Sequence, residues 1–222
     1  MRTLYHHTIL TDSRKVRLAL GEKRLEFIEK LVVPWSIDHD FLTLNPAGEL
    51  PVLVDEGDII VCGANAICEY LDEVYHEPPL LGRTPEARAE SRRLADWFDK
   101  KFYSEVTNYL AGEKIIHRIK KNAAPDSRAL KAGRDNIHTH LQYIAFLTER
   151  RSWLAGDHVT VADLSAAASI SLIDYCGDVP WLDHPLAKEW YVRFKSRPCI
   201  RPMLHDVIDN IPPAPVYADL DF

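Results

Sequence analysis

Between residues 2 and 75 the spacing of apolar positions changes repeatedly, and each change marks a new element. "RTLYH" reads as a first strand. "SRKVRLALGEK" follows, with Val16, Ala19 and Leu20 at helical spacing. "LEFIEKLVV" is rich in β-branched residues and predicts a second strand. "SIDHDFLTLNPAG" is a short helix or loop closed by Asn45, Pro46 and Gly48. "LPVLVDEGDIIV" holds two short apolar runs split by Asp55, Glu56, Gly57 and Asp58, which is a hairpin signature. A helix then opens at "CGANAICEYL" and ends near Tyr75. The predicted order is β-α-β-α-β-β-α, an α/β unit spanning 1–77.

"HEPPLLGRTPEAR" is proline-rich and reads as a linker over 78–86. From 87 to 205 the pattern is almost wholly helical. Leu94, Trp97, Phe98, Phe102, Val106, Tyr109 and Leu110 form one predicted stripe, and Ile137, Leu141, Ile144 and Leu147 another. "TVADLSAAASISLIDYC" is small and apolar nearly all round, which predicts a central buried helix. "HPLAKEWYVRFKSRP" is a further amphipathic helix, stopped by Pro198. The remainder, 206–222, is a tail in which Pro212, Pro213 and Pro215 disfavour helix and favour an extended course.

Charge and composition narrow the function classes. A net charge of -6 argues against a general nucleic-acid or membrane binder. No run of eighteen apolar residues is present, so no direct membrane insertion is expected, and the first residues do not read as a signal peptide. Cys62, Cys68, Cys176 and Cys199 have neither CxxC nor metal spacing, so they read as small hydrophobes in a reducing, cytoplasmic setting. No metal is expected.

Two motifs carry a resemblance that covers the chain to about residue 205. "GELPVL", Gly48 to Leu53, looks like the loop that bears a cis-proline in the glutathione S-transferase family, with Pro51 in that place. "LAGDHVTVADL" resembles that family's start of its core helix. There Thr160 and Asp163 form a capping box: the hydroxyl holds a helix N–H and the carboxylate reaches back. The resemblance implies a thioredoxin-like N-terminal domain, an all-helical C-terminal domain and here an extended tail.

It also implies where chemistry would sit. Ser13 matches the position of a thiolate-stabilising hydroxyl; the competing reading is that Ser13, Asp12 or Thr11 merely caps the first helix, which these residues do well. Leu50 and Pro51 would line the glutathione pocket. The family's acid and serine, which grip the γ-glutamyl end, fall on Gly63 and Ala64. Neither can hydrogen-bond through a side chain, a loss of about 2–4 kcal/mol, or a factor of tens to hundreds in affinity. The pocket therefore reads as residual, with no catalytic residue beyond a vestigial Ser13 and no cofactor. His6 and His7, adjacent on a strand, point to opposite faces and read as a strand end.

Two other features suggest contacts. Trp35 lies behind Pro34 past the second strand, where it either marks a binding surface or folds back and packs. The tail ends "VYADLDF", so Tyr217, Asp219, Leu220, Asp221 and Phe222 read as a recognition motif, with docking on the parent domain as the alternative. The run "KIIHRIKK" from Lys114 reads as a solvated helix end or as a second surface.

"MRTLYHH", "LNPAGELPVLV", "ADWFDKKFYSEVT" and above all "YADLDF" resemble the FzlA-type branch of the family in α-proteobacteria. That resemblance implies a non-catalytic, dimeric division factor at the division site. It would bind FtsZ polymers, alter their bundling or curvature, and link the ring to septal wall synthesis. The alternative is a glutathione-dependent transferase or isomerase using Ser13.

Overall fold

The computed structural model describes residues 1–121 and 124–220. Asp221 and Phe222, read above as partner contacts, lie outside the described residues. The N-terminal part runs β1 (Thr3–His6), α1 (Thr11–Glu22), β2 (Ile28–Leu31), α2 (His39–Leu44), β3 (Val52–Val54), β4 (Ile60–Cys62) and α3 (Ala64–Val74). The order read from the pattern is the order observed.

The sheet runs β2-β1-β3-β4. β1 is parallel to β2 and antiparallel to β3, and β3 pairs antiparallel with β4. The second strand is shorter than its sequence suggests. Only four residues pair, and all four are exposed, because β2 is an edge strand covered on neither face. The β3–β4 turn holds Gly57 and Asp58 in the left-handed region, at φ 76° and 61°. α1 buries Val16, Leu18, Ala19 and Leu20 and packs between α3 and the helical part. Gly21 permits its close approach to the turn at Pro198–Ile200: a Cβ there would stand 2.9 Å from the Cβ of Cys199. The peptides before Pro51 and Pro78 are both cis.

The helical part begins with α4 (Pro85–Asp96), capped by Thr84, so helix starts inside the stretch read as linker. It continues through wide, π-type turns at Trp97–Thr107, α5 (Asn108–Ala111), a second wide stretch at Gly112–His117, and α6 (Arg118–Lys121). The wide turns move the apolar stripe to a spacing of four. Leu94, Phe98, Phe102, Val106 and Leu110 are fully buried, whereas Trp97 is partly buried and Tyr109 is 37% exposed. The expected place of Tyr109 in the stripe is thereby corrected: a 3.6-residue reading cannot anticipate a widened helix.

Next come α7 (Ser127–Thr148), α8 (Val161–Tyr175), a short turn at Trp181–Asp183, α9 (Pro185–Lys195), a second turn at Pro198–Ile200 and α10 (Arg201–Leu204). Every residue of α8 is buried. Its capping box is present: Asp163 Oδ2 accepts from the Thr160 N–H at 3.0 Å, and Thr160 Oγ1 accepts from the Ala162 N–H at 3.3 Å. α8 is the spine against which α1, α4 and the first wide stretch pack, so one apolar core runs through both parts. No helix among the described residues is long and apolar enough to cross a membrane.

Candidate functional site

The helix start at Gly63 and Ala64 is as bare as its sequence. Gly63 caps α3 at φ 87°, a conformation that favours glycine, and a Cβ there would meet nothing within 4 Å. Its N–H donates to the carbonyl of Pro51 at 3.0 Å. Ala64 and Leu50 are buried. The next side chain, Asn65, is exposed, but its Oδ1 accepts from Lys15 Nζ at 2.6 Å, and the same ammonium donates to Asp99 Oδ2 at 2.6 Å. The polar group nearest the helix start therefore ties α1 and α3 to the long helix.

Ser13 is fully buried, and its Oγ accepts from the His7 N–H at 3.2 Å. The expectation that it caps α1 is corrected, because the cap position is Leu10 and no side chain bonds the helix N-terminus there. The hydroxyl is engaged with the loop after β1. A pattern of residue types near a helix start does not reveal this, because the loop path decides it.

A groove of about 570 Å³ opens elsewhere. Its walls are His7 and Thr8, then Leu31 at the end of β2 with Val33 and Trp35 beyond it, Arg118 and Ile119 on α6, and residues 207–211 of the tail. None of Ser13, Leu50, Pro51, Gly63 and Ala64 lines it. Trp35 is 39% exposed at the mouth. Its ring lies 6.2 Å from that of His7, and Lys120 Nζ stands 5.0 Å from its centroid. Trp35 thus packs in part on His7 and Lys120 and stays open on the remainder. A second groove shares Arg118 and Ile211 and continues past Lys114, Tyr175 and Pro212–Ala214. Of the "HRIK" stretch, Arg118 and Ile119 line the first groove. The signal is absent from the sequence because Trp35 and Lys120 are far apart in the chain.

His7 lines the groove, whereas His6, Cys62, Cys68 and Cys199 lie outside it. Burial, helped by the neighbouring Arg17, lowers the His6 pKa to about 3, so the ring is neutral. Burial also lowers that of His7, against an upward pull from Asp209. Burial raises all four thiols, Cys68 to about 11 and Cys176 to about 12, so none is a thiolate at neutral pH. Groups of three or more metal-binding side chains do not occur among the described residues.

The tail lies on the body. Tyr175 Oη accepts from the Ile208 N–H at 3.0 Å and donates to the Ile211 carbonyl at 2.6 Å, and the Tyr175 carbonyl accepts from Ala214 at 2.9 Å. Tyr217 is fully buried. It is therefore withdrawn from the contact residues, because its ring packs on Tyr175 at 5.1 Å and its hydroxyl is bonded inside. Asp219 and Leu220 are exposed.

Family models for the glutathione S-transferase N-terminal domain and C-terminal domain match residues 13–74 and 113–205. FtsZ-localized protein A of Caulobacter vibrioides is 50% identical over 224 aligned residues, covering 100% of this chain and 98% of that protein. The structure described as FzlA from C. crescentus superposes with a TM-score of 0.96 at 50% identity, covering 100% of this chain and 99% of the other. A crystal structure described as a glutathione S-transferase from Rhodospirillum rubrum F11 gives 0.98 at 55% identity, with both chains fully covered. Sheet, cis-Pro51 loop, capped core helix and these whole-length similarities agree, and the chain belongs to the glutathione S-transferase family.

Proposed function

We propose that this protein is a non-catalytic glutathione-transferase-fold division factor that binds FtsZ polymers. The observation that carries the reading is the 50% identity, over the whole chain, to a protein named for its localisation with FtsZ. The site geometry supports the non-catalytic half. The two gripping positions are Gly63 and Ala64, and Ser13 is spent on the His7 amide. The contact surfaces are the groove mouth at Trp35 and the exposed tail end at Asp219 and Leu220. A homodimer would present each surface twice, so two modest contacts on one polymer act at high effective concentration and bundle or bend it. In this reading the protein is cytoplasmic, sits at the division site and couples the ring to septal wall synthesis.

Co-sedimentation with FtsZ polymers tests the reading, with pelleting of the wild type expected. Asp219→Lys is expected to weaken pelleting about tenfold, measured on protein whose thermal melt shows it to be folded. Asp219→Asn is expected to fall between the two. Equal pelleting of all three would remove the tail from the interface.

A second reading keeps glutathione chemistry, favoured by the 55% identical structure described as a transferase. Calorimetric titration with glutathione separates the two. Under the first reading no binding is expected at millimolar ligand, and turnover of a generic electrophile would establish the second.

A further inference from the structure

The tail, which the sequence left open as a recognition motif or a docked segment, is fastened to the body at successive points. Asp206 takes two bonds from Arg17, at 2.6 and 3.0 Å. Ile208 and Ile211 are held by Tyr175 Oη, and Ala214 by the Tyr175 carbonyl. The Val216 carbonyl accepts from Lys195 Nζ at 3.3 Å, and Tyr217 accepts from Arg14 Nη1 at 3.2 Å and donates to the Met203 carbonyl at 3.0 Å. Beyond it, Ala218, Asp219 and Leu220 are exposed.

Arg14 is the unusual member. Its guanidinium is fully buried. Its Nε donates to the carbonyl of Thr8 at 2.7 Å, and its Nη1 to Ser171 Oγ at 3.0 Å as well as to Tyr217. Thr8 lines the groove, Ser171 lies on the core helix, and Tyr217 is the buried anchor just before the exposed tail end. One planar cation therefore spans the groove wall, the fold's spine and the tail anchor.

We propose that Arg14 and Tyr217 are a positioning couple, which holds the exposed tail end at a fixed place relative to the Trp35 groove so that a partner meets both surfaces in one arrangement. This rests on the FtsZ reading for the identity of the partner. Neither residue touches the partner. Their effect is to remove the entropy that a loose arm would lose on binding. Two contacts held in register also act as one larger surface.

Tyr217→Phe tests the couple in the full-length protein, since the ring and its packing on Tyr175 are kept while both hydroxyl bonds are lost. Amide hydrogen exchange reads the anchor. The N–H groups of Tyr217 and Asp219, which donate to the carbonyls of Ala214 and Val216, are expected to exchange about tenfold faster. Co-sedimentation with FtsZ polymers reads the consequence: affinity is expected to fall about tenfold. The double variant Tyr217→Phe/Asp219→Lys is expected to bind no more weakly than Asp219→Lys alone, because an anchor matters only through the contact it places. Tyr217→Ala should extend both effects.

Unchanged exchange in Tyr217→Phe and Tyr217→Ala would show that the couple does not hold the tail. Faster exchange with unaltered affinity, or losses that simply add in the double variant, would show that tail position does not serve binding. Wild-type protein that fails to pellet would overturn the FtsZ reading and the partner half of the proposal, while exchange still decides the anchor.

Discussion

Asp99→Ala is expected to destabilise the protein by about 3–5 kcal/mol, because it strands a buried ammonium. The side chain of Lys15 is 2% exposed, and its Nζ has Asp99 Oδ2 and Asn65 Oδ1 each at 2.6 Å. Burial by itself would lower the Lys15 pKa, but Asp99, with smaller help from Cys68 and Asp12, offsets it and leaves the pKa above its ordinary 10.5. In the wild type this contribution is complete below pH 10.5 and lost only as pH rises through the elevated value. Without Asp99 the burial effect is largely unopposed and the folded pKa drops below 10.5. The variant should then gain stability as pH climbs from that lowered pKa to 10.5, so its deficit is largest near neutrality and narrows in alkali. Urea denaturation at several pH values reads both effects. A second variant, Lys15→Met with Asp99→Leu, should recover most of the loss, as apolar replacements of buried pairs do. A deficit under about 1 kcal/mol for Asp99→Ala, the size of an exposed pair, would mean that Lys15 finds water once its partner is gone.

Asp163→Ala is expected to cost about 4 kcal/mol, lowering Tm by roughly 8–16 °C for a chain of this size. Asp163 does more than complete a capping box. Its Oδ1 accepts from the Leu154 N–H at 2.9 Å and from Trp190 Nε1 at 3.0 Å, while Oδ2 accepts from the Thr160 N–H at 3.0 Å. Alanine would leave these three N–H donors buried and unpaired, and would also remove an acceptor from the Thr160 hydroxyl at 3.3 Å. Burial raises the Asp163 pKa even against these bonds. The wild type is therefore favoured most below pH 3.8 and loses that part as pH rises through the raised pKa. The gap between wild type and variant should shrink over that window to a constant neutral value. Asp163→Asn should not rescue, since an amide nitrogen at either position would face a donor. A variant that melts within about 2 °C of the wild type, a shift worth under 1 kcal/mol for a chain of this size, would show that the three donors find other acceptors.

These two residues differ in how far the sequence announced them. Thr160 and Asp163 stand three apart ahead of a small apolar run, and a capping box is a local device, so its spacing is legible. The same reasoning found the β3–β4 turn, the burial of α8 and the bare start of α3. Lys15 and Asp99 gave no such sign. Each looked like an ordinary helix charge, and their meeting depends on how two domains dock. Tyr109 was misread for a different reason, because its helix is widened and the 3.6-residue rule slips out of phase.

What the sequence by itself determined is the set of local decisions: element order, caps, turns, and side chains unable to grip a ligand at Gly63 and Ala64. Each depends on neighbours within a few residues, where backbone geometry fixes the outcome. What only the tertiary structure decided is which groups meet from afar. It set Lys120 over Trp35, spent Ser13 on the His7 amide and drew Tyr217 inward to Arg14. Tyr217 shows the physical reason. An aromatic residue with a hydroxyl is equally suited to a partner's surface and to its own core. Only the position of a buried arginine more than 200 residues earlier, with a bond to spare, settles which it takes.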